Sequence, residues 1–104
     1  MSSLFTVPAP LGPNREKVNW QLTVTTEALL LEDRDTEEVV DEICLAGATK
    51  VEHETLVSLG RLVVWYGDQP RTVVYYPMDY IPEYGTIANT LTRYLEEGKV
   101  PKIS

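Results

Sequence analysis

Cysteine is nearly missing from this chain, with Cys44 alone among 104 residues. A single thiol forms no internal disulfide, so the core must hold without covalent staples, which suits a reducing compartment and predicts a cytoplasmic location. Long apolar runs are missing as well: nothing approaches the roughly 20 residues that a membrane helix needs. The first residues, Met1-Ser2-Ser3-Leu4-Phe5, lead into Pro8, Pro10 and Pro13, with neither a signal peptide's apolar stretch nor a glycine for acylation. No membrane contact is expected. Glycine does not cluster. Gly47, Gly60, Gly67, Gly85 and Gly98 stand singly, so there is no loop of the kind that cradles phosphate, and no nucleotide cofactor is expected.

Catalytic groups are scarce too. His53 is the only histidine, and so the only side chain whose ordinary pKa suits proton transfer near neutral pH. Cys44 is its sole thiol partner, but the surrounding acids oppose thiolate formation and the residue reads as a small core side chain. Glu52-His53-Glu54 offers three metal-ligand types in a row. Neighbours in a strand face opposite ways, and neighbours in a helix splay by about 100°, so the three do not converge on one ion. No catalytic, cofactor or metal site is assigned, and the chain reads as a binding protein rather than an enzyme.

Basic residues are outnumbered, 9 against 16 acids, for a net charge of -7. The excess is local. Ten of the acids fall between Glu27 and Glu54 with only Arg34 and Lys50 to oppose them, a net of -8, and the remainder of the chain carries +1. Such a segment repels phosphate and attracts basic surfaces, which argues against direct nucleic-acid binding.

Three prolines and no sustained period make residues 1–17 an extended N-terminal arm, free or docked through Leu4, Phe5 and Val7. A single domain is expected over 18–98, with 99–104 as a tail. Val18, Trp20, Leu22 and Val24 alternate with polar neighbours as a half-buried strand, and Ala28–Leu31 continues it or starts a second. Asp35 and Glu38 have capping-box spacing, and Val39, Val40, Ile43 and Ala46 recur at helical intervals before Gly47, so a helix is predicted over 36–46. Residues 51–59 alternate as a strand, although Thr49 and Glu52 would also cap a helix there. Arg61–Tyr66 and Arg71–Tyr76 around Gly67-Asp68-Gln69-Pro70 form a hairpin, with Tyr66 opposite Arg71, Val64 opposite Val73 and Leu62 opposite Tyr75. An irregular loop over 79–84 precedes a last helix capped by Thr86, with Ile87, Ala88, Leu91, Tyr94 and Leu95 as its stripe.

The expected fold is α+β: an antiparallel sheet of about four strands with two helices on one face, in the order β-α-β-β-β-α. Trp65, Tyr66, Tyr75, Tyr76, Tyr80 and Tyr84 crowd into about twenty residues. Because tyrosine and tryptophan are enriched at interface hot spots, they form the expected partner-binding site. The leading expectation is a non-catalytic protein-interaction module, an adaptor, assembly factor or small inhibitor, using this hairpin and the loop after it. Its partner is another protein with a basic surface, and a homo-oligomer is compatible. Two alternatives stand beside it. In one, an acidic face of Glu37, Glu38, Asp41 and Glu42 on the first helix imitates nucleic-acid phosphate and inhibits a DNA- or RNA-binding protein. In the other, a small enzyme or ligand-binding protein relies on His53.

Overall fold

The computed structural model describes residues 4–97. Seven strands run in chain order: β1 (Phe5–Leu11), β2 (Lys17–Val24), β3 (Ala28–Asp33), β4 (Val39–Cys44), β5 (Lys50–Thr55), β6 (Leu59–Tyr66) and β7 (Gln69–Pro77). A 3₁₀ turn (Met78–Tyr80) and one helix, α1 (Ile81–Glu97), complete the chain. The strands form one antiparallel sheet in the order β4-β3-β2-β1-β7-β6-β5. The expected arrangement of about four strands and two helices is therefore wrong in both counts: there are seven strands and a single, C-terminal helix. Among the described residues no helix is long and apolar enough to cross a membrane.

The missing first helix is strand β4. Asp33 accepts the backbone N–H groups of Asp35 (2.8 Å) and Thr36 (3.2 Å) on its carboxylate. Glu37 sits at φ 62°, a left-handed conformation that a right-handed helix does not pass through. The Asp35–Glu38 spacing thus belongs to the turn between β3 and β4, in which the Glu37 N–H goes to the Asp33 carbonyl (2.8 Å) and the Glu38 N–H to the Thr36 hydroxyl (3.3 Å). Beyond it, β-branched Val39, Val40 and Ile43 suit a pleated strand better than a helix, and pairing with β3 buries Ile43 completely.

Residues 5–11, read from the sequence as part of an arm outside the domain, supply β1 in the middle of the sheet. Proline is tolerated there for a reason of register. Pro8 lies opposite Gln21 of β2, and Pro10 falls where the register slips between Ala9 and Leu11. Proline has no N–H, so each fits only where none is owed to β2, and the side of β1 facing β7 is left without those donors. β1 and β7 accordingly pair at one position only, Leu11 with Tyr75. The expected tail at 99–104 lies outside the described residues.

The β6–β7 hairpin is present, but tighter than a four-residue loop. Tyr66 pairs with Gln69 across Gly67-Asp68, and Gly67 takes φ 69° as two-residue hairpin turns require. With a bulge at Val73, Val63 faces Thr72 and Leu62 faces Val74, so none of the expected pairs forms. The helix also starts earlier than expected. Pro82 fits its first turn, where no N–H is needed, and the Thr86 hydroxyl bonds back to the Pro82 carbonyl (3.0 Å) rather than capping a new helix.

α1 packs its Tyr84, Ile87, Ala88 and Leu91 into the core shared with Leu22, Val24, Leu29, Leu31 and Ile43. Its first turn closes the β1–β7 seam. Tyr84 stacks on Tyr76 with ring centroids 3.9 Å apart and planes 2° from parallel, and its hydroxyl donates to the Pro8 carbonyl at 2.8 Å. The Tyr76 ring in turn lies over Gly60, where an added Cβ would come within 2.1 Å of it. Only glycine leaves that room.

The two tyrosine hydroxyls should respond oppositely to removal. Tyr84→Phe strands a buried carbonyl and is expected to cost about 1–2 kcal/mol of unfolding free energy, whereas the Tyr76 hydroxyl is buried without a partner, so Tyr76→Phe should be neutral or stabilising by up to about 1 kcal/mol. Burial also pushes the Tyr76 hydroxyl up to about 12 from an ordinary 10. Above pH 10 the unfolded chain ionises this group while the folded chain keeps it neutral, so stability falls as pH rises, and Tyr76→Phe should remove part of that fall. Urea titrations at pH 7 and pH 10.5 check all three outcomes.

Candidate functional site

A seven-stranded open sheet has two edges, and the chain treats them differently. On β5, antiparallel alternation turns the backbone groups of Val51 away from β6. α1 lies along that side, and the Thr92 hydroxyl meets both: it accepts the Val51 N–H at 3.3 Å and donates to the Val51 carbonyl at 2.5 Å. One polar side chain of the helix thereby closes the edge at Val51.

No described strand pairs along the outer side of β4, and the contacts made there are single side chains of the β6–β7 hairpin, Tyr66 on the Cys44 carbonyl and Arg71 on Asp41. The side chains of β4 are unusual for a free edge: Val39 and Val40 are 53% and 46% exposed. The expected acidic face surrounds them, though on a turn and a strand rather than on a helix. Glu37 and Glu38 precede the valines on the turn, and Asp41 and Glu42 follow on β4. Asp41 pairs with Arg71 of β7 at 2.9 Å and also accepts the Glu42 N–H at 2.8 Å. Sequence reasoning placed the two valines on the buried face of a helix, and so missed them as surface groups. Two adjacent β-branched residues among four acids are the signal that was available.

The six aromatic residues do not form one patch. Tyr76 and Tyr84 are fully buried, so these two belong to the core and not to a contact surface. Tyr80 is half-buried in the 3₁₀ turn and packs against that core. Tyr66 is half-buried, and its hydroxyl donates to the Cys44 carbonyl at 2.5 Å. That leaves Trp65 and Tyr75, half-buried on the outward side of the hairpin. Both already have company. The Trp65 N–H donates to Glu52 at 3.2 Å, Lys50 stands 5.8 Å from the Trp65 ring, and the Arg15 guanidinium lies 4.9 Å over the Tyr75 ring. Lys50, through its hydrogen bond, holds the Glu52 carboxyl below its usual value.

Cys44 is exposed rather than buried, because in a strand it faces opposite to Ile43. His53 lies beneath the first turn of α1, its Nε2 3.4 Å from where a Cβ on Gly85 would stand, and its Nδ1 is buried without a partner. Glu54 bonds Arg61 instead of turning toward it. Among the described residues, no three of His, Cys, Asp and Glu gather as a metal site.

The closed edge makes a stability test. Thr92→Val keeps the shape of the side chain and orphans two backbone groups, so a loss of about 2 kcal/mol is expected in chemical denaturation, with Thr92→Ser, which keeps the hydroxyl, losing much less. Compared with known proteins, the chain matches no protein-family model and no curated protein sequence.

Proposed function

We propose that this chain is a protein-binding domain whose contact surface is the β4 edge with the turn before it, and whose partner presents a basic surface. One observation carries the reading: Val39 and Val40 are both exposed on the outermost strand, along which no described strand pairs, and Glu37, Glu38, Asp41 and Glu42 flank them in the chain. Singly exposed apolar residues are ordinary on any surface. Two in succession at the start of an edge strand are not, and the carboxylates on either side of them in the chain select which surface settles there. The role is that of an adaptor, assembly factor or small inhibitor. A nucleic-acid-binding protein is one partner class with the required charge. The lone, exposed thiol suits the reducing cytoplasm.

A second contact surface is the outward side of the hairpin at Trp65 and Tyr75. Their aromatic rings support it, although the chain's own cations stand against both.

Affinity capture from native lysate separates the two surfaces. Val39→Ser with Val40→Ser is expected to lower recovery of a stoichiometric partner at least tenfold, while Tyr75→Ala leaves it within about twofold. Loss with Tyr75→Ala and retention with the valine pair would move the site to the hairpin. Retention in both would remove the proposal.

A further inference from the structure

We infer that the β4 edge takes its partner by strand addition, and that the added strand is an extended segment of another protein alternating basic with apolar residues. This rests on the β4 surface proposed above and concerns what it holds and how.

The backbone direction of each β4 residue follows from the ladder. At one end the Asp33 N–H donates to the Glu38 carbonyl (2.8 Å), and at the other the Leu45 N–H donates to the Glu27 carbonyl (2.9 Å). Bonded and non-bonded pairs alternate along an antiparallel ladder. Glu38, Asp41, Ile43 and Leu45 therefore turn toward β3 or its flanking turns, with a bulge at Val40, and Val39, Glu42 and Cys44 turn outward. The far end of that outward row is partly taken, since Tyr66 occupies the Cys44 carbonyl and Asp41 occupies the Glu42 N–H. Val39 offers both its groups, Glu42 its carbonyl and Cys44 its N–H. The docking length is thus short, centred where the two exposed valines lie, and it calls for side-chain contacts in addition to the ladder.

Charge decides the occupant. Residues 32–42 hold seven acids and one base. A second copy laid along β4 would set carboxylate against carboxylate, which destabilises a strand pair. A segment with lysine or arginine at alternate positions sets its cations on one face, toward the carboxylates there, and its intervening apolar residues on the other, toward the exposed valine that shares that face.

Synthetic ten-residue peptides test this against the whole chain: an alternating Lys–Val peptide, the same peptide N-methylated at every residue so that neither edge can donate, and a Glu–Val counterpart. Binding is read by two-dimensional amide NMR titration at low salt. The Lys–Val peptide should shift the amides of Val39–Glu42, the N-methylated one should bind at least tenfold more weakly, and the Glu–Val one should not bind. Equal binding of the N-methylated peptide would overturn strand addition while leaving the β4 surface standing. Equal binding of the Glu–Val peptide, or shifts confined to other strands, would overturn the basic segment. Val39→Ser with Val40→Ser in the capture experiment then judges the surface itself. A dimer in sedimentation that this double variant dissociates would assign the edge to a second copy and overturn the proposal.

Discussion

Backbone N–H and C=O groups that leave water need a partner, and in this fold that requirement is met differently at each of the three lines where the sheet stops pairing with itself. At the β1–β7 seam the prolines withhold donors, and a tyrosine hydroxyl from α1 takes the carbonyl of Pro8 instead. At the β5 edge a threonine hydroxyl takes both groups of Val51. At the β4 edge the partners run out after Asp41 and Tyr66 have served one group each. α1 answers for the first two lines with side chains eight residues apart, Tyr84 and Thr92. At the third line α1 borders only the far end, where Tyr94 and Leu95 line a pocket with Cys44 and Leu45.

Much of the sheet was legible in local pattern, because alternation reports a half-buried strand directly. β2, β3 and the β6–β7 pair stand where alternation or a β-rich run placed strands, whereas the run expected as one strand over 51–59 breaks after Thr55 and resumes at Leu59 as β6. Two errors came from residues whose local meaning depends on distant ones. Pro8 and Pro10 look like breakers until a neighbouring strand is known that needs nothing from their nitrogens. Val39, Val40, Ile43 and Ala46 fit a helical stripe as well as a strand, and what decides between them is the Asp33 carboxylate, which builds a turn at 33–38 and sends the chain back along β3. The hairpin was recognised but its register was not, since Gly67-Asp68 and the bulge at Val73 set it, and a bulge is settled by packing.

The same dependence explains how the candidate site was misread. Aromatic crowding in the sequence has two sources, a core need and a surface, and it does not separate them. Tyr76 and Tyr84 form the stacked pair under α1, so the densest part of the cluster is structural. The acidic run was correctly picked out as one segment, but its geometry turned over: a helix would have gathered the four carboxylates on one face and buried the valines on the other, whereas the turn and strand leave both the charges and the valines exposed along one sheet edge. The functional reading moved from the hairpin to β4 for that reason.

The central claim is that the sheet has one edge closed by α1 and one edge open. Amide hydrogen exchange of the isolated protein, followed residue by residue by NMR, measures this directly. The account predicts that the Val51 amide exchanges slowly, only when α1 or the whole fold opens, and that the Val39 amide exchanges orders of magnitude faster, close to the rate of an unprotected peptide group. Protection of Val39 equal to that of Val51, or exchange at Val51 as fast as at Val39, would contradict it.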